Sequence, residues 1–160
     1  MKKKAVRPFE MTEAHMKAAL DELARRDPVI AHAVEAAGYP QSRRVPLTFA
    51  SLLRVIAGQQ LSTKAAATIF ERVRVACGDE CTPASLLALD EQVLRGCGLS
   101  GRKVEYARAL AAAIVGGALP LDALHSLSDD EVIATLVAVK GVGRWTAQLV
   151  LMFGLGRPDV

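Results

Sequence analysis

Aromatic side chains are scarce in this sequence, with one Trp, two Tyr and four Phe making up 4% of 160 residues. A core without large rings must be filled by Ala, Leu, Val and Ile, and such small aliphatic residues pack best between closely approaching helices. Cysteine is scarce too. Cys77, Cys81 and Cys97 are odd in number, match no zinc or iron–sulfur spacing and have no His between them, which argues against a disulfide scaffold or a cysteine-based metal centre. They read as reduced packing or loop residues. No apolar run approaches the roughly 18 residues of a membrane helix, and none of signal-peptide length follows the basic start Met1 to Arg7 (MKKKAVR). The expectation is a soluble, cytoplasmic protein with no membrane contact. Charge of one sign is missing as well: 20 basic residues face 17 acidic ones, a net +3 that permits a nucleic-acid partner without demanding one. His15, His32 and His125 are scattered over different predicted helices and read as surface or internally satisfied groups.

What remains is punctuation for helices. Thr12 caps a first helix to Arg26, and Asp27-Pro28 opens a second that ends at Gly38. Tyr39 to Leu47 (YPQSRRVPL), with two prolines, reads as a loop whose Arg43 and Arg44 are solvated. Thr48 caps FASLLRVIA, too uniformly apolar for a surface helix and therefore core. After Gly58, Gln59-Gln60-Leu61 leads to Ser62, which caps a helix stopping at Gly78. Thr82-Pro83 and Asp90 open two short helices, and another runs from about Arg102 to Val115 before Gly116-Gly117. Ser128-Asp129-Asp130-Glu131 is a capping box for a helix to Val137, and a last helix spans roughly Arg144 to Phe153. No segment reads as a strand. The fold class is all-α, a two-lobed helical bundle, with residues 1–47 forming helices of a smaller lobe plus a linker and residues 48–160 the main body.

Between the last two helices lies Lys140-Gly141-Val142-Gly143. Two glycines around one small apolar residue let the backbone turn tightly and approach another surface. Such a turn lines up N–H groups beside a helix N-terminus, where an anion such as a DNA phosphate is favoured. On the tetrapeptide alone, a plain interhelical corner accounts for the glycines equally well.

The longer run LVAVKGVGRWTAQLV (Leu136 to Val150) resembles the helix-hairpin-helix of the HhH-GPD DNA glycosylase superfamily. RVIAGQQLSTKAAATIFERV resembles the Q-Q-x-S-x-x-A-A segment of its 3-methyladenine glycosylase II (alkylation-repair) branch, and GLSGRKVEYARALA resembles the G-L-S-x-x-K segment. HMKAALDELARRDPVIAHAVEAAG is similar to that branch's opening helices, so the resemblance covers nearly the whole chain.

The resemblance implies hydrolysis of the N-glycosidic bond of alkylated purines in double-stranded DNA, with the target nucleotide flipped out of the stack. Gln60 would plug the vacated space and Gln59 support the loop. Backbone amides of Gly141, Gly143 and Thr146, with Val142 and Arg144 in the same turn, would grip phosphates. Carbonyls of Val137, Val139 and Val142 would hold a Na+ or K+ ion, with no other cofactor required. Trp145 occupies the position where bifunctional relatives carry a Schiff-base lysine, which implies a monofunctional enzyme. It either stacks on an electron-poor base or belongs to the core. The family's catalytic aspartate normally lies roughly twenty residues past the last hairpin glycine, facing the flipped nucleotide, and so would fall beyond Val160. Asp159 is 16 positions on and matches a non-catalytic site instead. These features imply a C-terminally truncated glycosylase, exposed apolar surface over Leu149 to Phe153, and, as the alternative, a non-catalytic DNA-binding module. No obligate protein partner is evident, and association with the nucleoid is expected.

Overall fold

The computed structural model describes residues 9–78 and 80–160, so the basic segment Met1 to Arg7 lies outside the described residues. Among these residues every regular element is helical. Two helices, α1 (Glu13–Arg26) and α2 (Pro28–Ala37), lean on each other and contribute no buried residue. The loop at residues 38–48 leads to α3 (Phe49–Gly58), then α4 (Thr63–Cys77), α5 (Pro83–Ala88), α6 (Glu91–Gly96) and α7 (Gly101–Val115). A 3-10 turn over Leu121–Ser126 precedes α8 (Asp129–Val137), and α9 (Arg144–Leu149) runs into a π-helical segment, Val150–Leu155.

The capping residues do what their chemistry predicts. Thr12, Thr48, Ser62, Thr82, Ser100 and Ser128 each accept a first-turn backbone N–H through the side-chain oxygen. At Ser128 the box is reciprocal, since its amide and hydroxyl both donate to Glu131 and hold that carboxyl below its usual range. Asp90 precedes α6 as expected but makes no side-chain cap bond.

α3 carries the densest stripe of the core: Phe49, Leu52, Leu53, Ile56 and Ala57 are all buried. It packs on α4 and α7, whose Val73, Val104, Ala107, Leu110 and Ala111 close around it. Leu136 of α8, Val142 of the turn, Ala147 of α9 and Val150 of the π-helical segment join the same core. Alanines at 107, 111 and 147 let these helices approach closely, as the near absence of aromatics requires.

Two expectations about the C-terminal end are corrected. The helix from Arg144 does not stay α-helical to Phe153 but widens at Val150. Its carbonyls serve the preceding loop: Val45 N–H donates to Phe153 O (2.9 Å) and Arg44 to Gly154 O (3.0 Å), so the wider turn redirects them to tertiary partners. Nor is Leu149 to Phe153 an exposed apolar strip. Val150 and Leu151 are buried, Leu149 and Phe153 half-buried, and Met152 alone of the five is exposed. Residues 45–47 cover the rest, together lining a small apolar pocket of about 120 Å³. Arg44, read as solvated, also pairs with Glu10 at 2.9 Å.

Cys77, Cys81 and Cys97 are free thiols packed in or against the core. Burial, then hydrogen bonding with Cys77, pushes the Cys81 thiol up to about 12. At pH 8 its thiol is therefore far less ionised than a free cysteine. Iodoacetamide at that pH should label Cys81 in the native protein far more slowly than in urea, read site by site by mass spectrometry. Equal rates in the two conditions would contradict the burial that sets this value.

Candidate nucleic-acid interface

The loop after α3 and the turn before α9 meet in space. Gln59 Nε2 donates to the carbonyl of Gly141 at 3.2 Å, bridging residues 82 apart in sequence. Gln60 next to it is exposed and adopts φ +59°, in the left-handed region, alone among the described non-glycine residues. Gln59 is thus spent on structure and Gln60 is presented outward.

The turn at 139–143 is tight because Val142 N–H donates back to Val139 O at 3.0 Å. Gly141 takes φ +90° and lies directly on the Tyr106 ring of α7. Gly143 caps α9 with extended backbone and no side-chain oxygen, so the first amides of α9 have no capping side chain. Gly143 and Arg144 are exposed and Gly141 is half-buried, whereas Val142 (5% exposed) and Thr146 are buried. Val142 thus packs into the core, whereas the surface of the turn is formed by Gly143 and Arg144.

Beside the turn opens a cleft of about 770 Å³. It is lined by Arg54, Gln59 and Gln60 from the end of α3, by Arg102, Lys103 and Tyr106 from α7, and by Gly143, Trp145 and Thr146 from α9. Trp145 is 67% exposed, which removes the core alternative for its indole. The cleft carries three cationic side chains, and no carboxylate lines it among the described residues, a lining suited to a polyanion. Arg54 and the three α7 members, Arg102, Lys103 and Tyr106, carry no signal in the sequence that marks them as site residues, although G-L-S-x-x-K ends on Lys103. Lys103 Nζ donates to Ala57 O at 2.8 Å, and burial lowers its pKa. Lys140, on the outer side of the turn, pairs with Glu105 of α7, which raises the pKa of the ammonium.

No group of three or more His, Cys, Asp or Glu side chains suited to a metal occurs among the described residues. An ion at the turn would have to rest on backbone carbonyls. Those of Val137 and Val139 lie at the C-terminal, negative end of α8, and Val139 O keeps a second lone pair after accepting from Val142.

Residues 53–160 match the profile of the HhH-GPD superfamily of base-excision DNA repair proteins. The chain belongs to this superfamily. Among HhH-GPD proteins it is 37% identical over 115 residues to DNA-3-methyladenine glycosylase 1 of Schizosaccharomyces pombe, covering 70% of this chain and 50% of the relative. It is 30% identical over 118 residues to DNA-3-methyladenine glycosylase 2 of Escherichia coli, covering 68% and 41%. The chain thus spans about half the length, or less, of the curated relatives it matches. The solved S. pombe 3-methyladenine DNA glycosylase in complex with abasic DNA superposes with a TM-score of 0.76 at 33% identity, covering 89% of this chain and 72% of that one. A DNA-3-methyladenine glycosidase from Bacillus halodurans gives the same TM-score at 35% identity, covering 97% and 70%. The all-helical HhH-GPD fold and the alkylation-repair branch expected from the three motifs are those of these relatives.

Proposed function

We propose that this HhH-GPD chain grips damaged double-stranded DNA and carries the base-flipping half of a monofunctional glycosylase that hydrolyses the N-glycosidic bond of alkylated purines. The observation that carries the reading is the Gln59–Gly141 hydrogen bond, which sets an outward-facing Gln60 beside a glycine turn and an exposed indole in one cationic cleft. The relatives' names, and a neighbour held on abasic DNA, support the same reading.

Each element has a physical role. Backbone amides around Gly141, Val142, Gly143, Arg144 and Thr146 bind phosphate at the positive end of α9 and fix the register without reading a base. Gln60 fills the gap left by the flipped nucleotide. Trp145 offers a π-face to a base made electron-poor by alkylation, and an indole cannot attack the sugar to form a Schiff base. The carbonyls of Val137, Val139 and Val142 hold a Na+ or K+ ion that stiffens the turn. Glycosylases of this family generally need no cofactor, and DNA in the cytoplasm or nucleoid is the expected target.

A second reading has one specific observation behind it: no carboxylate among the described residues lines the cleft, and the same surface could hold duplex DNA with no chemistry of its own. Base release from methylated duplex, borohydride trapping and binding titrations against salt separate the two. Release without a trapped covalent adduct supports the glycosylase. Binding without release supports the module, with log affinity falling by about 0.9 per tenfold salt for each phosphate gripped. Failure to bind duplex in a salt-dependent way overturns both.

A further inference from the structure

The end of α3 leaves carbonyls that need partners, and two are met locally: Ile56 O accepts from Gln59 N–H (3.3 Å) and Gly58 O from Leu61 N–H (3.1 Å). The Ala57 carbonyl between them is taken by the Lys103 ammonium, reaching across from α7 at 2.8 Å. Gln60 follows three residues later in a left-handed conformation, which is unfavourable for a side-chain-bearing residue and persists only where neighbours over-determine it. On the other side, Gln59 is tied to the hairpin and Gly141 rests on Tyr106, three residues past Lys103 on the same helix. Successive residues of α7 thus hold both the loop and the hairpin.

Resting on the proposed base-flipping role of Gln60, we infer that Lys103 is a positioning residue for that loop: its bond to the Ala57 carbonyl holds Gln60 in the inserted geometry and sets its distance from the phosphate grip. Lys103 acts through Gln60, not by touching DNA. Partial burial lowers the pKa of its ammonium, in keeping with a lysine whose head is bound to a carbonyl at the wall of the cleft.

A double-mutant cycle tests this with two fluorescein-labelled duplexes, one undamaged and one bearing a tetrahydrofuran abasic analogue. The readout is the ratio of their affinities by anisotropy, with 2-aminopurine fluorescence opposite the analogue reporting insertion. Lys103→Met should lower the abasic preference about tenfold and reduce the 2-aminopurine change. Gln60→Ala should lower both similarly, and K103M should then add less than a further twofold in the Q60A background. Lys103→Arg, which still donates to a carbonyl, should restore most of the preference. If K103M melts below the assay temperature, Lys103→Gln carries the same cycle, with a smaller loss that is likewise absent in Q60A. Additive losses would mean that Lys103 meets DNA directly and would overturn the inference alone. Absence of any abasic preference in the unmodified protein would overturn the flipping role and this inference together.

Discussion

Gly141→Ala should lower the melting temperature by about 5–15 °C, a steep loss for a single added methyl group. Two costs combine. The backbone at Gly141 has φ +90°, and placing an L-residue in left-handed space costs about 1–2 kcal/mol. The new Cβ would also stand 2.6 Å from Tyr106 Cδ2, and closer still to Cγ of that ring and to the Tyr106 Cβ. The obstruction sits at the root of the Tyr106 side chain, so no flexible tip can swing aside. Overpacking of this kind costs about 1–3 kcal/mol, and for a chain of this size each kcal/mol shifts the midpoint by about 2–4 °C. Gly143→Ala supplies the contrast. At Gly143 φ is −86° and an added Cβ meets nothing within 4 Å. Its melting temperature should stay within about 2 °C of the parent, since surface changes usually fall within ±0.5 kcal/mol. Its duplex affinity should nevertheless fall, because the methyl group projects where a phosphate would approach the first amides of α9. Equal melting temperatures for the two variants would contradict the close Gly141–Tyr106 approach.

These two glycines are indistinguishable in the string Lys140-Gly141-Val142-Gly143, and they mark the limit of what sequence makes legible here. Local chemistry is easy to read: Thr12, Thr48, Ser62, Thr82 and Ser128 cap as side-chain oxygens before apolar periodicity should. Features that depend on distant partners are not. That Gly141 is needed for Tyr106, and Gly143 for an open face, follows only once α7 is laid beneath the turn. The π-helical widening at Val150 answers donors from Val45 and Arg44, about 110 residues earlier in the chain, and no local pattern announces it. The 3-10 turn over Leu121–Ser126 likewise escapes periodicity because six residues are too few to show one. Trp145 beginning a helix reads equally as core or as surface, and only its 67% exposure in the cleft decides. Lys103 sits within a motif that pointed to the family, yet its role rests on a carbonyl 46 residues away.

Arg157 is the plainest case of a residue whose sequence context misleads, and its replacement should be as costly as that of Gly141. Nothing in Gly156-Arg157-Pro158-Asp159-Val160 marks it as structural, but its side chain is 4% exposed. The guanidinium donates to Leu127 O at 3.1 Å and, at 3.5 Å, to Phe9 O and His125 O. Nε faces Asp129 Oδ1 at 3.1 Å without hydrogen-bond alignment, so that attraction is ionic. One side chain thereby joins the start of the described chain, the 3-10 turn and the first turn of α8, while Met11 N–H donates to Gly156 O alongside it. Breaking a buried ion pair costs about 3–5 kcal/mol, but Asp129 is 43% exposed and regains water when its partner leaves. Arg157→Met, which fills most of the volume, should therefore cost about 2–3 kcal/mol, a fall of about 5–10 °C in melting temperature. The reverse deletion is instructive. Asp129→Asn leaves the guanidinium buried with carbonyls alone, so it should destabilise more than Asp130→Asn, an exposed neighbour expected to stay within about 0.5 kcal/mol. The two losses should also fail to add in R157M/D129N, since the charge stranded by one change is removed by the other. Thermal melts of the four variants measure this directly; additive losses would show that Arg157 and Asp129 are not coupled, and an R157M melting temperature equal to that of the parent would show that Arg157 does not tie Phe9, the 3-10 turn and α8 together.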